Sequence, residues 1–394
     1  MSLASHYNAF EQRFREHIYK YADILFLLIV SVAAIVVRQK LVSFESGDYL
    51  NCLLPWYTKI SNEGFAVFQS RFSDYTMPYL YLMYFFTKLH VAPLYAIKII
   101  SCISDFLLAA FTGRTVYTAT GNKMRGQMAY AVTLCLPTVL LNGAAWGQCD
   151  SLLTLFIVVA LYYMLKASYV RAMLAYSVAL CFKLQGIFVL PVFMAFALVG
   201  PIPLWTLFLP VICYMLFYLP IVLFAGAPVS SLFLKALLAQ SKTFKHLTMS
   251  APTLWSFIHD VSQPLKKGAQ WAGLTFVFTG CFAFFKMRPS VKHVLLSMAF
   301  FATAVPFFLP RMHERYFFIA DILTLIYAFY EPKRFYVPAL VVLASLTSYM
   351  PFLFEVSVIP LQVGAAAIGV AVAVLGADLY HSLTATTTPK TEQC

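Results

Sequence analysis

A chain of 394 residues that is 61% hydrophobic and 11% charged is not a soluble globular protein, in which about 25% of residues carry charge. Its net charge of +12 reads as membrane topology and contact with anionic headgroups. It does not read as nucleic-acid binding, because no basic helix or aromatic-basic platform leaves the apolar sequence. Apolar runs of roughly 15–22 residues recur without strict alternation, so an all-α, polytopic transmembrane protein is expected, with no soluble domain.

Residues 1–20 read as an amphipathic cytoplasmic helix that leads into the first span. They are not a signal peptide, since Glu11 and Glu16 interrupt them and no small-residue cleavage site follows the apolar run. Spans are predicted at 21–37, 92–113, 127–142, 151–165, 170–183, 187–199, 204–224, 269–286, 292–309, 316–330, 335–350 and 357–379, about 12 in all. They form one integral domain, 1–383, followed by a disordered cytoplasmic tail, 384–394. The pieces 170–183 and 187–199 are too short to cross squarely and are expected to be tilted, thinned or partly re-entrant. The run Met77–Phe86 is shorter still and reads as re-entrant or interfacial. The eight cysteines include no CxxC; Cys102, Cys135, Cys181, Cys213 and Cys281 lie in apolar spans and read as small core residues.

Lysine and arginine in the short loops set the orientation. Arg114, Lys123, Arg125, Lys166, Arg171, Lys286, Arg288, Lys292, Lys333 and Arg334 fall on one side; Lys183, Arg311 and Arg315 fall on the other. The first side is cytoplasmic by the positive-inside rule, and both termini share it. The large loops 38–91 and 225–268 and the turns 145–150, 183–186 and 310–315 then all face outward.

The unusual polar residues gather in those segments. The stretch Phe44 to Tyr81 holds Glu45, Asp48, Glu63 and Asp74, four of the 16 acidic residues. Glu45 and Asp48 are spaced i, i+3, which on a helix places both on one face, and a partly desolvated carboxylate suits a general base. The plainer reading is a cap from Ser46 or Asp48. Asp74 reads as a second carboxylate over a polar substrate, or as a turn residue. Trp146, Gln148 and Asp150, in the WGQCD turn, suit a sugar by offering an aromatic face and polar groups; alternatively Gly147 makes the turn and Asp150 caps the next helix. Lys183 sits between apolar runs, where a cation snorkels, pairs or serves a polar cavity. Arg311, His313, Glu314 and Arg315 form the densest charge cluster between two spans. They suit an anionic phosphate, or an internal Arg–Glu ion pair.

An acidic residue soon after the first span, a WGQxD turn, an FKxQxIFxLP motif and a PxMHERYF motif, in that order over roughly 44–335, together resemble the GT-C glycosyltransferases. The resemblance is to bacterial members of the branch that includes the glycosylphosphatidylinositol mannosyltransferases. One departure is ESGD in place of a DxD. The resemblance implies an enzyme of the bacterial inner membrane, multi-pass, with a periplasmic active site. It would move a hexose or related sugar, with inversion, from a polyprenyl-phosphate donor to a cell-surface glycan, glycolipid or lipid-linked acceptor. Asp48 would be the catalytic base, with Glu45 as fallback and Asp74 in support. Lys183, Arg311, His313 and Arg315 would bind the donor phosphate, and Trp146, Gln148 and Asp150 would shape the sugar pocket. A divalent metal fits such a loop, but ESGD does not specify one. The rivals are a transporter or flippase of lipid-linked sugars, which needs the cations but no base, and a glycan polymerase or ligase.

Overall fold

The computed structural model describes residues 3–228, 248–258 and 290–385, with isolated positions 268, 271, 273 and 275. The predicted span 269–286, most of the loop 225–268 and the tail beyond residue 385 lie outside the described residues. The described chain is helical throughout apart from one two-residue strand pair. Its first element, α1 (Leu3–Leu41), is a single 39-residue helix, so the N-terminal segment runs into the first span without a break.

The first large loop folds into α2 (Leu54–Glu63) and α3 (Met77–Lys88), which pack on each other and on α4 (Pro93–Thr120). Both begin with a proline in the first turn, where its missing N–H costs nothing. The run expected to be re-entrant is α3, whose Met77, Tyr79, Leu80 and Met83 are buried. The long α4 pairs with α5 (Lys123–Cys135) through glycines: a Cβ on Gly113 would lie 2.6 Å from the Gly126 carbonyl oxygen. Close approach of this kind packs helices in lipid, where burial alone does not drive association.

The predicted span 127–142 is broken. Leu136 leaves the helical region (φ −58°, ψ 128°) ahead of Pro137, whose ring disfavours α geometry in the preceding residue. The chain bends by 49° there. It continues as α6 (Pro137–Leu140) and a wide π-turn through Trp146, and Gly147 closes the turn at φ 80°. Next come α7 (Asp150–Leu165), α8 (Tyr169–Phe182), α9 (Leu190–Val199) and α10 (Leu209–Pro220). The last described helices are α11 (Val291–Phe308), α12 (Phe318–Tyr330), α13 (Tyr336–Phe354) and α14 (Leu361–Ala385).

Among the described residues, six helical stretches are long and apolar enough to cross a membrane, and seven if the bent pair counts as one span. This establishes a polytopic helical membrane protein, though not the expected twelve spans. The stretches Asp150–Leu165, Tyr169–Phe182, Leu184–Leu198 and Phe318–Tyr330 are apolar but short. At 13 residues α12 rises about 20 Å, less than the ~30 Å hydrocarbon core.

Burial separates centre from rim. The Val291–Phe308 window is 78% buried, whereas Tyr21–Leu41 is 11% and Leu204–Ala225 is 17% buried. On α1, Ile24, Leu28, Ile29, Val32 and Ile35 are exposed, an apolar face that suits lipid rather than water. From Phe318 to Ala328 α12 is buried on every side, packed among α4, α7, α11 and α13. The strand pair joins β1 (Thr248–Met249) in parallel to β2 (Met312–His313). It ties the second large loop to the arginine-rich turn.

Candidate functional site

Four distant segments meet at one end of the bundle, and local chemistry sets each. Ser46 caps the first turn after α1: its Oγ accepts from Tyr49 N at 3.2 Å and lies 3.2 Å from the Trp146 carbonyl oxygen. The cap is thus supplied by Ser46, and Asp48 is left to act elsewhere. Glu45 precedes the helix in irregular backbone, so the shared helical face expected for Glu45 and Asp48 does not form. Asp150 opens α7 without capping it. Lys183 ends α8 in extended backbone (φ −153°, ψ 145°). Arg311 takes a left-handed conformation (φ 65°), which turns the chain into β2 and on to Arg315.

Three donors converge on Asp48 Oδ2: Trp146 Nε1 at 3.0 Å, Gln148 Nε2 at 2.7 Å and Arg315 Nη1 at 3.2 Å. Among the described residues no hydrogen bond reaches Oδ1. Gln148 is fixed in turn by Tyr75, whose hydroxyl donates to its Oε1. Burial pushes the Tyr75 phenol well above its ordinary pKa, so it stays a donor. The Trp56 ring lies 5.2 Å from that of Tyr75, and the Lys183 ammonium sits 5.0 Å from its centroid.

Beneath this layer, Lys183 Nζ donates to Asp150 Oδ1 at 2.6 Å, and Asn142 Nδ2 donates to Asp150 Oδ2 at 2.9 Å. Arg315 Nη1 donates to Glu314 Oε1 at 2.6 Å, its Nε lies 3.7 Å from Asp150, and its guanidinium covers the Trp146 ring at 5.3 Å. Burial works against the charge on Arg315, but Glu314, Tyr75, Asp150 and Asp48 outweigh it and hold its pKa well above the ordinary value. Burial likewise raises the Glu314 carboxyl, yet Arg315 and His313 prevail and set its pKa below the ordinary 4.5. Lys183 neither snorkels nor stands alone, and the internal Arg–Glu ion pair considered for this turn is present. Asp48, Asp150 and Glu314 therefore share two cations, Lys183 and Arg315.

Asp48, Lys183 and Arg315 border a cavity of about 500 Å³, within the ~300–1,000 Å³ usual for ligand sites. Asp48, Asp74, Gln148, Lys183, Arg311, His313 and Arg315 line it, with aromatic walls from Trp56, Tyr75 and Tyr316. Leu184 and Ile187 also line it and are exposed, which gives the cavity an apolar rim. Glu45, Trp146 and Asp150 lie off this wall. Glu45 is exposed and off the wall. Trp146 is fully buried against Phe352 (ring centroids 4.8 Å apart) and Tyr349, so it supports Asp48 and offers no open face to a sugar. Asp150 is buried behind the wall. Asp74 lines the cavity while its carboxylate, 71% exposed, pairs with Arg71 at 2.9 Å.

Sequence reasoning missed Tyr75 and Asn142. An asparagine inside the apolar run LLNGAAW was the available signal for the latter, since buried amides need partners. Among the described residues no group of three or more His, Cys, Asp or Glu is arranged to hold a metal ion. Compared with protein-family models and with curated proteins, the sequence matches none of them.

Proposed function

We propose that the protein is a GT-C-like glycosyltransferase that takes a sugar from a polyprenyl-phosphate donor. The observation that carries this reading is Asp48 itself. It is a carboxylate on the wall of a ligand-sized cavity, anchored through one oxygen by three donors, with Lys183, Arg311 and Arg315 on the same wall. A sugar-phosphate lipid matches each part: aromatic walls for the sugar ring, cations for the phosphate, and the exposed Leu184 and Ile187 for the chain.

In this reaction the acceptor hydroxyl oxygen attacks the anomeric carbon. Its proton passes to the Asp48 carboxylate. The bond from the anomeric carbon to the phosphate oxygen breaks from the opposite face, and the electron pair leaves on the lipid phosphate, so configuration inverts. Cations placed where that charge develops lower the barrier. Lys183, Arg311 and Arg315 all line the wall on which the donor phosphate would rest. The acceptor is a cell-surface glycan, glycolipid or lipid-linked intermediate, and the cavity faces the periplasm of a bacterial inner membrane.

The test is transfer by purified protein supplied with a panel of polyprenyl-phosphate sugars. Wild type should transfer at least one. Asp48→Asn should lose about 10²–10⁴-fold in rate while eluting and melting as wild type. Full activity in that variant removes the base. A lipid-linked sugar transporter shares the cavity and cations but needs no base, so retained function in Asp48→Asn would favour it.

A further inference from the structure

The end of α7 remote from the cavity carries a second cationic cluster. Arg114, Lys166 and Arg171, from three separate helix segments, gather on the adjacent rings of Tyr162 and Tyr163. Arg114 Nε donates to the Tyr162 hydroxyl at 3.2 Å, and its guanidinium lies 5.4 Å from that ring. The Lys166 ammonium is 5.8 Å from the same ring, and Arg171 is 5.9 Å from Tyr163. All three cations are exposed, and none forms an ion pair among the described residues. The sequence offers them little: Phe106 to His259 contains one carboxylate, Asp150, at the other end of α7 and held there by Lys183. That helix is sixteen residues long, roughly 24 Å.

Three like charges drawn together without a counter-charge repel, and tyrosine faces offset that only in part. The surroundings specify the missing partner. On α4 the exposed positions Ile103, Leu107, Arg114 and Tyr117 form one stripe, apolar before Arg114; on α8, exposed Val170 and Leu174 flank Arg171. Cations bordering apolar, outward-facing stripes match a molecule with a charged phosphate head and hydrocarbon tails. Guanidinium groups bind phosphate oxygens in pairs, and lysine adds a mobile charge. We propose that Arg114, Lys166 and Arg171 form a binding site for the phosphate headgroup of an anionic membrane lipid, on the membrane face opposite the cavity. This site is independent of the reaction proposed above.

The test is native mass spectrometry of the full-length protein in detergent with added phosphatidylglycerol or phosphatidylcholine. Wild type should retain phosphatidylglycerol about tenfold more than phosphatidylcholine, and Arg114→Gln/Lys166→Gln/Arg171→Gln should lose that preference. Lys59→Gln, at an exposed pair with Glu63 on α2, should keep it. Arg114→Lys/Arg171→Lys retains the charge and should keep most of it. If the triple variant fails to elute as a folded protein, Arg171→Gln alone carries the comparison. Equal retention of both lipids by wild type, or an undiminished preference in the neutralised variant, overturns the site. Displacement of phosphatidylglycerol by equimolar inorganic phosphate would assign the cluster to free phosphate and overturn the lipid.

Discussion

At the scale of single residues, charge in an apolar sequence is conspicuous, and that is why the candidate site was partly legible. Asp48, Lys183, Arg311 and Arg315 stood out because each needs a partner or a cavity near a bilayer, and the four line one wall. Aromatics did not stand out among 24 tyrosines and 37 phenylalanines. Tyr75 was missed, and Trp146 was read as a sugar platform where it is a buried donor to Asp48. Pairing was partly legible: an Arg–Glu pair was one of two readings of the 311–315 turn and is present, but nothing in the sequence shows that Lys183 reaches Asp150. Glu314 gives the site a pH signature. Its folded pKa is depressed below the ordinary 4.5 by Arg315 and His313 against the effect of burial. A depressed carboxyl stabilises the fold above its unfolded pKa and loses that contribution as pH falls through the folded value. Melting temperature in detergent should therefore drop as pH falls below 4.5, and Glu314→Gln should flatten that part of the profile. An unchanged profile in Glu314→Gln would assign the acid sensitivity to other carboxylates.

Elements were legible where hydropathy alone defines them. Predicted spans other than 269–286 fall mostly on helical backbone, because a long apolar run satisfies its own hydrogen bonds only as a helix. Their lengths and breaks were less visible. The bend at Leu136 depends on Pro137, and the short α12 is accommodated because neighbours bury it all round, a tertiary condition no single run reveals. The α4–α5 crossing is a further case: Gly113 and Gly126 are two of 16 glycines, and only the packed structure shows that their backbones touch. Gly113→Val would drive a side chain into the Gly126 carbonyl and Tyr130. Overpacking of this kind costs about 1–3 kcal/mol, so the variant should melt clearly below wild type. Gly369→Ala, whose new Cβ meets only Phe307 at an ordinary 3.5 Å, should melt as wild type. Equal melting of the two variants would mean that α4 and α5 separate without cost.

At the scale of the molecule, Asp48 and Arg315 are 267 positions apart in sequence and 3.2 Å apart in space, and they meet at one end of the bundle. Loop one, the turn after the bent helix, the end of α8 and the turn after α11 all arrive there. The distribution of lysine and arginine among the short loops places these segments on a common side. It does so because basic residues in short loops bias which side each loop takes, whatever the helices do between them. That grouping is now geometric, since the segments share a cavity; the direction the cavity faces rests on the charge bias. The two ends can be told apart by labelling. Asp74 lies at the cavity with its side chain 71% exposed, and Met124, at the start of α5, is 63% exposed at the other end of the bent helix that leads to Trp146. With the eight native cysteines replaced, Asp74→Cys should react with a membrane-impermeant maleimide on intact spheroplasts, and Met124→Cys only after lysis. The reverse pattern would turn the cavity to the cytoplasm. The proposed reaction would then need its donor from the inner leaflet.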